Sequence, residues 1–171
     1  IAEAYSCMQR VCAIVRNLGP YAVGAEVTQQ LLEALPKDDP SLAALLNERA
    51  LFLSRLGDPE EAQGCLAQAL AANQHHPNAN QEGRTLLLMG RLAYVRGAGT
   101  EARSLLSRSV EILRNTPASS DLGSALRALG LSYRDASKSQ ALELYEEALT
   151  LSKSVGDRIL LASTHMDIGY I

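Results

Sequence analysis

Small residues recur through this chain on a fixed period, and that repeat limits the fold more than any other feature. Three helix-breaking glycines, Gly19, Gly57 and Gly97, stand 38 and 40 residues apart. Five residues beyond each lies a small one, Gly24, Ala62 and Ala102, and Ala141 extends the series. Seven residues before each lies another, Cys12, Ala50 and Gly90, which Gly130 and Gly169 continue. Two ladders sharing a period of about 39 residues describe a stack of like units, each packing on its neighbours.

The units are helical. Leu86, Met89, Gly90 and Ala93 follow i, i+3, i+4, i+7 spacing, and Leu126, Leu129, Gly130 and Tyr133 repeat it 40 residues later. A second stripe follows each turn: Ala62, Leu66, Ala69 and Leu70, then Ala141, Tyr145, Ala148 and Leu149. Small residues on both stripes let two helix backbones approach where they cross. Composition agrees, since 47% of residues are hydrophobic but only 4% aromatic, leaving Leu and Ala to carry the apolar load. Gly57-Asp58-Pro59 ends one helix and starts the next, with Glu60 and Glu61 at the positive end of the new dipole. Polar breaks at 36–40, 76–80 and 115–120 separate the pairs.

Leu129-Gly130-x-x-Tyr133, followed by Ala141-x-x-x-Tyr145-x-x-Ala148-Leu149, resembles the tetratricopeptide repeat. Met89-Gly90 with Ala102, and Ala50 with Leu56-Gly57-Asp58 and Ala62, are weaker copies. The period is nearer 40 than the family's usual 34, and Ser154-Val155-Gly156-Asp157-Arg158 lies between pairs. Both features are similar to the long-repeat subclass of kinesin light chains and of bacterial signal-transduction ATPases that regulate transcription. Trp is absent, Arg49 stands where an apolar residue is usual, and the turn at 136–139 lacks its glycine. The expected fold is an all-α solenoid of antiparallel helix pairs, and the resemblance implies a right-handed superhelix. About nine helices are expected, in a single array of pairs near 1–35, 41–75, 81–114 and 121–154, with 158–171 the first half of an unfinished pair. The chain is expected to be a piece of a longer protein. Leu160, Leu161 and Ile168 would then lack cover, so end-to-end self-association is expected.

The residues offer little for catalysis. Gly97-Ala98-Gly99-Thr100-Glu101-Ala102 matches G-x-G-x-x-A, but a dinucleotide site needs a buried strand before it, and 84–96 is helical in pattern. His75-His76 stands at a helix end, where a positive charge suits the dipole, and adjacent residues diverge too far to chelate easily. His165 has no nucleophile partner in the sequence. Cys7, Cys12 and Cys65 lack metal spacing and are expected to be reduced thiols of a cytoplasmic protein. A net charge of −3 gives no case for nucleic acid or for an anionic membrane, and no apolar run is long enough to span a bilayer. The expectation is a chain with no catalytic site, metal or cofactor of its own.

One constellation points to binding. Arg84, Leu87, Arg91 and Tyr94 share a helix stripe, and Ser124, Arg127, Leu131 and Arg134 occupy the same phase one repeat on. In the tetratricopeptide family the first helix of each pair lines the concave groove. The resemblance therefore implies that Arg84, Arg91, Tyr94, Arg127 and Arg134 face inward together. Asn47, Ser54 and Arg55 would extend that surface on one side, and Met166 and Tyr170 on the other. Residues 84–134 hold eight Arg against Glu101, Glu111 and Asp121, a local charge of 8 − 3 = +5. Guanidinium groups on a rigid wall suit carboxylate or phosphate. The expected function is a protein-interaction or ligand-sensing scaffold for a peptide, acidic by this argument, or a small effector. The parent would be a bacterial signalling or transcription regulator. The alternative is a structural adaptor that holds an assembly through its convex or end surfaces.

Overall fold

The computed structural model describes Cys12, Ile14 and residues 19–117 and 119–171. Among these residues there are eight α-helices and no strands. They are α1 (Tyr21–Ala34), α2 (Leu42–Leu56), α3 (Pro59–His75), α4 (Ala79–Val95), α5 (Gly99–Arg114), α6 (Ser120–Tyr133), α7 (Lys138–Val155) and α8 (Arg158–Gly169). The helix expected at 1–18 lies outside the described residues, except that Cys12 and Ile14 are helical. Two compact units divide at Gln81 and Glu82, inside α4.

In the first unit, α1 packs on α2 and α2 on α3. Phe52 is fully buried, and its ring lies where Gly24 has no side chain, so a Cβ there would come 2.7 Å from the ring. Leu45, Leu46, Ala62, Leu66 and Ala69 complete this core. Gly57 ends α2 in the left-handed region at φ 87°, a conformation that side chains rarely adopt. Asp58 then caps α3, its side chain accepting from the Glu61 amide at 3.1 Å, with Pro59 at the first helical position. Arg49 fits the packing stripe because its charge is met there. It donates through Nη1 to the Ala25 carbonyl at 2.7 Å and pairs through Nη2 with Glu61.

The second unit repeats the scheme on α4 to α8. Leu106, Leu113, Ala125, Leu126 and Ala148 form its interior. The two ladders meet at the helix crossings: Gly130 lies so close to α7 that a Cβ would stand 2.7 Å from the Tyr145 ring and 3.2 Å from the Ala141 carbonyl. Gly90 meets Leu106 and the Ala102 carbonyl in the same way on α5. The short turn before α7 dispenses with glycine because Ser137 caps the helix, accepting from the Gln140 amide at 3.4 Å. Ser119 and Asp157 cap α6 and α8 likewise. The architecture is an α-solenoid of antiparallel helix pairs.

One expectation at the last helix needs correction. Leu160 is only 5% exposed, seated where Gly123 of α6 leaves room. Leu161 and Ile168 are half-buried. The uncovered side of α8 carries Ile159, Met166 and Tyr170 instead.

Candidate functional site

The first helices of the second unit, α4, α6 and α8, carry the predicted cationic set. Arg84, Arg91 and Tyr94 lie on α4 and are half-buried, and both arginines are in contact with neighbouring groups. Arg127 on α6 donates through Nε to Asp167 Oδ2 of α8 at 2.6 Å. Its side chain is 30% exposed and that of Asp167 13%. Arg134, just past the end of α6, approaches its neighbour Asp135 at 3.6 Å, and Asp135 is almost fully exposed. Such an exposed contact contributes little.

Tyr145 lies on α7. Its side chain is fully buried behind Gly130, and its hydroxyl has no hydrogen-bond partner. Burial pushes the phenol up to about 12, Asp167 adds to the rise, and Arg134 and Arg127 oppose it, with Tyr94 a smaller influence. Of the predicted residues, Arg127 is joined by one that the groove argument did not include, Asp167. Tyr145 lies on the packing stripe that its spacing predicts. Asp167 carried a readable signal, since it follows Arg127 by 40 residues, one full period.

Asn47 and Arg55 belong to the first unit. Asn47 is fully buried, so its placement on an open groove surface is corrected. Its amide donates to the carbonyl of Gln81 at 3.3 Å and to the Gln81 side chain at 3.2 Å. The reason is positional. Leu87, one period on, is also buried, so this position faces the interior in two successive repeats. Arg55 is exposed, 6.0 Å from the centre of the Tyr21 ring.

Other sequence motifs fall into structural roles. Gly97 and Ala98 form the turn between α4 and α5, with Gly97 at φ 80°, and Gly99 to Ala102 begins α5. His76 contacts the Asp38 carboxylate at 2.9 Å, tying the end of α3 to the loop after α1. Cys12 and Cys65 are buried, and burial pushes the Cys65 thiol up despite the opposing charge of Arg49; Cys7 lies outside the described residues. A cleft of about 690 Å³ in the first unit, between α1, α2 and α3, has Leu42, Leu46 and Cys65 in its lining and Arg49 and Glu61 beside them. Periodicity gave no sign of it. No group of three metal-ligating side chains occurs among the described residues, and no helix there is long and apolar enough to cross a membrane.

Stacked hairpins with small residues at each crossing place this chain among helical-repeat proteins. Residues 81–154 match the tetratricopeptide repeat family. A crystal structure of kinesin light chain nearly identical TPR-like repeats from Podospora anserina shares the fold, with a TM-score of 0.64 and 19% identity. The match covers 96% of this chain and 87% of that one. No curated protein matches the sequence significantly. Tetratricopeptide arrays generally serve as protein-interaction scaffolds.

Proposed function

We propose that this chain is a protein-interaction module whose first-helix face, in the unit beginning at Glu82, takes an acidic peptide segment. The observation that carries this reading is Arg127 on α6, 30% exposed and paired with Asp167 at 2.6 Å, with Arg134 seven residues further along the chain. Arg84 and Arg91 stand two turns apart on α4, roughly 10.5 Å along the axis at 1.5 Å per residue. Guanidinium groups so spaced suit successive acidic side chains, or a single phosphorylated or dicarboxylate effector. The repeat period runs through residue 81 unchanged, which supports one array over 1–171. A period near 40 supports a parent among cytoplasmic bacterial regulators of signalling or transcription. The exposed Ile159, Met166 and Tyr170 favour the second reading, an adaptor that holds an assembly through its end surface.

The test is titration of a labelled glutamate-rich peptide against the wild type and the Arg91→Glu/Arg134→Glu variant. Loss of charge-assisted bonds predicts affinity at least about tenfold weaker in the variant, with unchanged helical circular dichroism. Binding should also weaken as salt rises past about 0.15 M, where the Debye length falls below ~8 Å. Equal affinity after the double charge reversal would overturn the reading.

A further inference from the structure

The second unit leaves an apolar face open on α8, and the first unit has a cleft open between α1, α2 and α3. We propose that the α8 face of one chain seats in the cleft of a second copy, a head-to-tail contact. This rests on the reading of α8 as an assembly surface and names what covers it.

The face is a narrow stripe. Ile159, Met166 and Tyr170 fall within about 40° of one another at roughly 100° per residue, and all three are more than half exposed. Ile159 and Tyr170 stand 11 residues apart, roughly 16.5 Å at 1.5 Å per residue. The cleft suits it in length and character. Its α3 wall runs from Glu61 to His75, 14 residues or roughly 21 Å, so the whole stripe fits along it. Leu46 and Cys65 line the cleft and are buried, and Leu32 and Leu42 are half-buried there, so apolar side chains meet apolar side chains. Gly64 and Ala71 give the α3 wall little bulk, which lets a second helix approach closely.

Charge fixes the direction. Arg158, exposed beside Ile159, arrives at the Glu61 end. Glu61 is 48% exposed and meets Arg49 through Oε1, leaving its other oxygen to a second cation. Lys37 stands at the opposite end, where His76 contacts Asp38, and it is exposed. The carbonyl end of α8, negative by its dipole, falls beside Lys37. Glu33, the other acid of the lining, already accepts from the Gln29 amide at 2.6 Å. Reversing α8 would set Arg158 against Lys37, like charge to like. One helix in one cleft is a small contact, so the association is weak and rises with concentration. It joins unlike surfaces, so a dimer keeps one free cleft and one free α8 face.

The experiment mixes two single-site variants of the 171-residue chain. Ala71→Arg fills the cleft from an exposed position on α3, and Met166→Glu puts a charge in the α8 face. Each alone should stay monomeric by light scattering at concentrations where the wild type associates. Mixed in equal amounts they should form a dimer and nothing larger. The first variant keeps its α8 face, the second keeps its cleft, and the two surfaces left over are both blocked. Circular dichroism checks that each is folded, and Gln68→Arg, also exposed on the cleft wall, replaces Ala71→Arg if that variant unfolds. A mixture that stays monomeric while the wild type associates overturns the cleft as the seat and leaves the α8 surface reading standing. So does an Ala71→Arg chain that associates as the wild type does. A wild type that is monomeric at every concentration overturns both.

Discussion

Gly130 shows how one missing side chain orders a whole crossing. Adding a methyl there would place a carbon 2.7 Å from the Tyr145 ring and 3.2 Å from the backbone oxygen of Ala141, and the oxygen cannot swing aside. Gly130→Ala should therefore destabilise the chain by about 1–3 kcal/mol, as overpacking does. Gly64, inside α3, has nothing within 4 Å of its virtual Cβ. There the same change should stabilise by about 0.5–1 kcal/mol, because alanine loses less backbone freedom on helix formation. Paired thermal melts check both signs, and a stable Gly130→Ala would refute the close approach. Tyr145 offers a second measurement. Its folded phenol is pushed to about 12 against an ordinary 10.0, so the folded state holds that proton more tightly than the unfolded state. The unfolded chain then binds fewer protons between these values, and stability should fall as pH rises from 10 through 12. Denaturant melts across that range should show the decline, and Tyr145→Phe should remove this share of it. Below pH 10 the shift has no effect on stability.

At the scale of the helix, the sequence carried most of its own boundaries because turns are specified locally. Gly57, Asp58 and Pro59 stop one helix and start the next through backbone conformation, a cap and a ring. The phase of each packing stripe was equally legible, since Ala102 and Ala141 are both fully buried at their crossings. Leucine at either position should cost about 1–3 kcal/mol. Ala98 makes a poor control for that comparison, being half-buried against the same core. Ala67, exposed on α3, is the better one, and Ala67→Leu should melt within a degree or two of the wild type. Equal melting of all three leucine variants would contradict the register. The groove was less legible than the crossings. Periodicity places Asn47 and Leu87 on a stripe but does not say how far the neighbouring helix covers it, and both prove to be buried. Arg127 and Asp167 pair across α6 and α8 for the same reason. Helix-to-helix distance is a property of two side-chain sets together, so one stripe read alone cannot supply it.

At the scale of the whole molecule, the fold class was legible because a repeat states its architecture several times over. Local departures such as Arg49 or the glycine-free turn before α7 could not overturn a period kept by two ladders. What the repeat leaves unspecified is which surfaces stay open. On α8, Ile159, Met166 and Tyr170 fall at i, i+7 and i+11, and they are 65%, 62% and 77% exposed. Three large apolar side chains aligned on one helix face are unusual on a surface that meets only water, because grouped apolar area favours association. Leu160 is excluded from this patch, since Gly123 receives it. The expected outcome is that the 171-residue chain self-associates through α8 as its concentration rises. Light scattering across a hundredfold range of concentration should show the apparent mass climbing toward that of a dimer. Met166→Glu with Tyr170→Ser should hold the chain monomeric at every concentration, and leave its melting temperature nearly unchanged because both residues are exposed. Leu160→Ala should do the reverse, lowering stability by about 2–5 kcal/mol through the cavity left beside Gly123 without abolishing association. A wild type that stays monomeric throughout, or a double variant that still associates, would remove α8 as the contact.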